Sequence, residues 1–260
     1  MSDTVLTSIE DGVATLRLNR PDAMNSLDAD TARAIRDTVE AWAVDDSVRV
    51  LVVGGEGRIF SAGGDFNWVL TWPEIDAIAR RVGADAMMAA VQAIYEFPKP
   101  SIARVHGDTV GGGTGLMLAC DFALATANAR FGLTSVRNGL LAGIAIPTLL
   151  EAVGPRVARQ LLMHGGLFDA ATALRIGLID QVVEAAALDA TVATLAQELK
   201  LGAPSVQTLV KKLVTQVSAL PHDSNAAEIL GIQVANQCVS DEALEGMKAF
   251  LEKRKPAWAG

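Results

Sequence analysis

The stretch Val105–Asp121, VHGDTVGGGTGLMLACD, gathers Gly111, Gly112, Gly113 and Gly115 where a short apolar run turns into what reads as an apolar helix. Glycines at a strand-to-helix junction let something approach the main chain closely, because no Cβ stands in the way. A phosphate loop needs Lys and then Ser or Thr after its last glycine, and Thr114, Gly115 and Leu116 stand here instead. The dinucleotide fingerprint fails too, since its final glycine falls on Leu116. What remains is a glycine turn beside free N–H groups at a helix start, a seat for the oxyanion of a substrate carbonyl. Close helix packing explains the same glycines equally well at this point.

Working outward, Val13–Leu18 (VATLRL) alternates as a strand, NRPDAMNS breaks it, and a helical pattern runs from about Leu27 to Ala43. VRVLVVGG, Val48–Gly55, is a continuous β-branched run, as expected of a strand covered on both faces. ADAMMAAVQAIYEF reads as a helix, PSIARV as a short buried strand and DFALATA as another. Within GLFDAATALRIGLIDQVV, Asp169 can cap a short helix and Gly177 can stop it before a last strand. Strands alternating with helices predict an α/β core. From about Leu188 only amphipathic helices follow, of the kind that packs across a subunit interface. No clear sequence repeat stands out.

The chain has 260 residues, half of them hydrophobic, enough for a large core. With 22 Lys+Arg against 30 Asp+Glu and no basic run, nucleic acid is not an expected partner. Cys120 and Cys238 form no CxxC and read as core filling in a reducing, cytoplasmic compartment. The N-terminal residues lack the pattern of a signal peptide, and no apolar run is long enough to span a bilayer, so no membrane association is expected. His164 and His222 lie in helical contexts without partner spacing, so no metal site is expected.

Four stretches together resemble the enoyl-CoA hydratase/isomerase, or crotonase, superfamily: LNRPDAMNSLD, GRIFSAGGDFNWV, VHGDTVGGGTGLMLACDFALA and EGMKAFLEKRKP. FSAGGDFNWV and KPSIARVHG look most like its methylglutaconyl-CoA hydratase-like branch. The resemblance implies a spiral of repeated ββα units over residues 1–195, with a helical oligomerisation region over 196–260 that builds a homotrimer or a hexamer of two trimers. It implies an acyl-CoA thioester substrate, so that coenzyme A arrives with the substrate and no prosthetic group is needed. It places the thioester oxygen on the backbone N–H groups of Gly64 and Gly112. It assigns coenzyme A contacts to Ala23, Met24 and Ala62, and to Phe250 and Lys253, often across a subunit boundary.

Two positions depart from the family pattern. Its first glutamate falls on Gly115 and its second on Ser135. Hydration of an enoyl thioester needs a carboxylate to activate water, and a serine hydroxyl without a partner is no base near neutral pH. Asp65, Asp108, Asp121 and His106 read as structural rather than catalytic. Arg137 and Asn138 follow Ser135 in the segment expected to face the acyl group, where an arginine can grip a carboxylate or simply form a surface ion pair. Trp68, Trp72 and Glu74 fall where the acyl pocket of the family varies. Three activities stay open: a hydratase or isomerase acting through an enolate, a decarboxylase or C–C lyase on an acidic acyl-CoA, and an inactive acyl-CoA-binding subunit.

Overall fold

A computed structural model describes residues 4–220 and 226–259; His222 lies outside them. The alternating VATLRL run forms β2 (Val13–Leu18), and it pairs in antiparallel register with β1 (Val5–Glu10). Sequence reading missed β1, although the Asp11-Gly12 turn announces it: both residues have positive φ, as a tight two-residue hairpin requires. Next come α1 (Ala29–Ala43), capped by the Asp28 side chain, and β3 (Val50–Gly55), all six residues of which are buried. Short α2 (Phe66–Val69) and long α3 (Ala77–Tyr95) lead to β4 (Ser101–Val105), β5 (Thr109–Val110) and α4 (Gly112–Leu118). Then follow β6 (Phe122–Thr126), β7 (Arg130–Gly132), α5 (Ile146–His164), β8 (Phe168–Asp169), α6 (Ala170–Arg175) and β9 (Gln181–Val183). As expected, Asp169 caps α6 by accepting from Thr172 N, and Gly177 takes positive φ just beyond it.

The main sheet runs β1-β2-β3-β4-β6-β9, parallel from β2 onward, and a second small sheet runs β5-β7-β8. An isolated parallel bridge, Ser61 to Thr109, extends the small sheet by one more turn. Successive turns therefore leave one strand in each sheet, the expected spiral. The small sheet escaped sequence reading because strands of two or three residues carry no periodicity.

The bridge sets two short glycine turns side by side although the sequence holds no clear repeat. Ser61-Ala62-Gly63-Gly64 and Thr109-Val110-Gly111-Gly112 are in register, and Gly63 and Gly111 both have positive φ.

Alternate residues of β3 face two cores. Leu51 and Val53 join the large one between the sheet and α1 and α3. Val50 and Val52 meet Leu188, Val192 and Ala196 of α7 (Leu188–Lys200). The division expected at 195/196 thus falls inside a continuous helix that seals the sheet. Beyond it lie α8 (Pro204–Ser218), α9 (Ala226–Gln237) and α10 (Asp241–Leu251). Cys120 is packed inside, where burial pushes its thiol far up, but Cys238 is exposed on the single chain and fills no core there. Among the described residues, no helix is long and apolar enough to cross a membrane.

Candidate active site

The loop after β2 folds back on itself because Met24 and Asn25 both adopt left-handed backbone, a conformation Asn tolerates better than most residues. The buried Asn25 amide donates to Glu56 O and Ile59 O, 2.8 and 2.9 Å, and accepts from Arg20 N, 3.0 Å. It pins residues 20–26 against the loop that carries Ser61–Asp65. Ala62 N then donates to Met24 O, 2.9 Å, and Leu27 N to Gly63 O, 2.7 Å.

Gly63 sits directly on the second glycine turn. A Cβ there would lie 2.6 Å from Gly112 N and 2.8 Å from Val110 O, so only glycine allows this approach. The two expected donors, Gly64 and Gly112, are thereby neighbours. In a planar trans peptide C=O and N–H point in opposite directions. Gly63 O is taken by Leu27 N and Gly111 O by Thr114 N, 3.1 Å. The Gly64 and Gly112 N–H groups accordingly face away from those partners, and neither donates to an acceptor among the described residues.

Around them the wall is apolar. The Cβ direction of Gly64 meets Met87 Cε at 3.6 Å, and that of Gly112 meets Ile144 Cδ1 at 2.6 Å. Ser135 is half-buried, with Oγ 3.6 Å from the Cβ position of Gly111, so the structure does bring it to the glycine turn. Gly115 faces the backbone of Ala145 and Ile144, with Ala145 Cα and Ile144 O 3.3 Å from its Cβ position. No carboxylate occupies either glutamate position.

Asp65 holds the loop. Its Oδ1 accepts from Asn67 N, 2.9 Å, and Trp68 N, 3.3 Å; its Oδ2 accepts from Arg20 Nη2, 2.8 Å, and Ser26 Oγ, 3.1 Å. Burial raises its pKa, but the bonds from Arg20, Trp68 N and Ser26 outweigh that and hold the carboxyl below its ordinary 3.8. A folded-state pKa below the unfolded one stabilises the fold above pH 3.8 and loses that contribution as pH falls through the folded value. Asp65→Asn is therefore expected to cost about 2 kcal/mol at pH 7 and progressively less in urea titrations taken below pH 4.

The remaining polar residues have structural partners. Asp108 accepts from Arg130 Nη2 at 2.5 Å, and Asp121 accepts from Ser101 N at 2.8 Å and Lys211 Nζ at 2.9 Å. His106 shares a hydrogen bond with Gly57 O at 3.1 Å, and burial, helped by the Arg104 charge, pushes its pKa down. Arg137 turns to the end of α5, where Nε donates to His164 O, 3.1 Å; Asn138 is exposed. His164 Nδ1 accepts from Gly166 N, 3.2 Å. Trp68 and Trp72 pack edge to face, 5.1 Å between centroids, over Gly83 of α3, while Glu74 is exposed. No cluster of three or more potential metal ligands occurs among the described residues.

Ala23, Met24 and Ala62 lie together beside the paired glycine loops. Phe250 and Lys253 do not join them in the single chain. They lie at the C-terminal end of α10, after which Trp258 donates to Leu201 O at 3.1 Å and accepts from Arg49 at 3.1 Å, and Phe250 is 81% exposed.

Residues 8–260 match the protein family described as Enoyl-CoA hydratase/isomerase. The chain belongs to that family. The crotonyl-CoA hydratase of Syntrophomonas wolfei is 34% identical over 258 residues, spanning 97% of this chain and 96% of that protein. The (E)-benzylidenesuccinyl-CoA hydratase of Thauera aromatica is 34% identical over 263 residues, spanning 98% and 99%. An enoyl-CoA hydratase from Shewanella pealeana, known as a crystal structure, superposes with a TM-score of 0.93 at 29% identity, over 98% of this chain and 96% of that one. The spiral is the crotonase fold, and acyl-CoA chemistry is the business of this enoyl-CoA hydratase/isomerase family.

Proposed function

We propose that the protein binds an acyl-CoA thioester, seats its carbonyl oxygen between the N–H groups of Gly64 and Gly112, and stabilises the enolate that forms there. The observation that carries this is the pair of adjacent N–H groups without acceptors among the described residues, each in a peptide whose C=O is already bonded. Each such donor typically contributes about 3 kcal/mol to the transition state. Ala23, Met24 and Ala62 border the coenzyme A path. Phe250 and Lys253 complete it from a neighbouring protomer of a homotrimer or hexamer, which accounts for a phenylalanine so exposed on one chain.

The two-carboxylate route to hydration has no carboxylates here. With Gly115 closed off by Ala145 and a serine hydroxyl rather than a carboxylate at residue 135, the site suits reactions that generate the enolate by breaking a C–C bond. Arg137 directs its Nε to His164 O at the end of α5. The deciding experiment follows the conjugated enoyl-thioester absorbance with crotonyl-CoA and methylglutaconyl-CoA, alongside CO2 release from malonyl-CoA. Turnover of an enoyl-CoA supports hydration, and CO2 release supports C–C cleavage. Saturable binding with neither leaves an acyl-CoA-binding subunit, and absence of binding overturns the proposal.

Lys253 has φ of 55°, just past the end of α10, where glycine is the residue without strain. Lys253→Gly is expected to keep the melting temperature or raise it slightly, yet raise KM for acyl-CoA about tenfold, as losing one bond to a charged phosphate would. Unchanged KM removes Lys253 from the coenzyme A path.

A further inference from the structure

The Gly64 donor is the last member of a hydrogen-bonded series that begins at a half-buried cation, Arg20. Arg20 Nη1 donates to Ser26 O at 2.7 Å. The N–H of that same peptide, on Leu27, donates to Gly63 O at 2.7 Å. The N–H of the next peptide is Gly64's, and it donates to no acceptor among the described residues. Because C=O and N–H oppose each other across each peptide plane, the guanidinium and both peptide dipoles align head to tail, with the positive end on Gly64. Both distances are at the short end of the N–H···O range. Series of this kind polarise their members, by roughly 10–30% per bond.

Arg20 meets other charged groups as well: Asp65 at 2.8 Å and Asp28 at 3.1 Å. The contact with Asp65 works in the same direction. That carboxylate directly follows Gly64, and left uncompensated it would oppose negative charge gathering on a thioester oxygen.

We propose that Arg20 is a positioning and polarising residue for the Gly64 donor, acting through the Ser26–Leu27 and Gly63–Gly64 peptides without touching substrate. This rests on the proposal that Gly64 N–H holds the thioester oxygen. A merely structural arginine would affect stability and leave the bound carbonyl alone, so the readout has to be the carbonyl.

The test is isotope-edited infrared spectroscopy of butyryl-CoA labelled with 13C at the thioester carbon and bound to the native protein, Arg20→Gln and Arg20→Lys. The native protein is expected to lower the carbonyl stretch relative to free ligand. Arg20→Gln, which keeps a donor and loses the cation, is expected to bind within about threefold of native affinity but to lose a third or more of the lowering. Arg20→Lys, cationic but shorter, is expected to fall between. A full native lowering in Arg20→Gln overturns the role of Arg20 while leaving the donor pair standing. Should Arg20→Gln fail to fold, a full lowering in Arg20→Lys does the same. Binding to the native protein without any lowering overturns the donor pair and Arg20 with it.

Discussion

Gly63→Ala is expected to abolish acyl-CoA turnover almost completely, by about 100-fold or more in kcat/KM, although residue 63 donates nothing to the substrate. Its φ of 85° is strained for any residue with a Cβ, at about 1–2 kcal/mol. The new methyl group would also be driven against Gly112 N at 2.6 Å and Val110 O at 2.8 Å, both main-chain atoms with no rotamer to escape into. The two loops must part, and the N–H pair with them. Gly64→Ala is the control: it keeps the N–H, has no positive φ, and meets only Met87 Cε at 3.6 Å. It is expected to retain activity within about threefold. Equal losses in both variants would show that the spacing of the loops is not what matters.

Ser135→Glu is expected to raise hydration of crotonyl-CoA by about 100-fold, the low end of what a positioned general base contributes. Ser135 is half-buried with its hydroxyl against the Gly111 turn, so a carboxylate grown from that position enters the space beside the donors. Gly115→Glu is expected to behave differently. Its Cβ would press on Ala145 Cα and Ile144 O at 3.3 Å, and the cost is about 1–3 kcal/mol of stability without a gain in rate. A Ser135→Glu protein that binds crotonyl-CoA and turns it over no faster than native would show that the reacting carbon lies elsewhere.

Much of this site was readable before any coordinates. The family resemblance names Gly64, Gly112, Ala23, Met24 and Ala62, which the fold brings to one pair of loops, and Ser135, whose hydroxyl lies against the Gly111 turn. Asp65 read as a loop-fixing carboxylate, and it is one. The strands β2, β3, β4 and β6 were visible because their periodicity or apolar continuity is strong. What stayed hidden depends on contacts distant in sequence. Arg20 is one basic residue in a loop, and its link to Gly64 exists only once Leu27 pairs with residue 63. For Arg137 the sequence allows a substrate grip or a surface contact alike, and its Nε donates to His164 O at the end of α5. Cys238 looked like core because α9 is apolar, but one chain supplies nothing to cover it.

The paired bridge between Ser61 and Thr109 acts as a ruler. Gly64 and Gly112 each stand three residues past it, on consecutive turns of the same spiral. Neighbouring parallel strands are separated by about 4.8 Å whatever their side chains, so the gap between the two N–H groups follows from the pitch of the winding. On the proposed reading, substitutions such as those at Gly115 and Ser135 would exchange the chemistry of the site without recalibrating the oxygen seat. Length is the property it does not forgive: one residue inserted between Ser61 and Gly64 would slide a donor along its turn and uncouple the pair, however conservative its side chain.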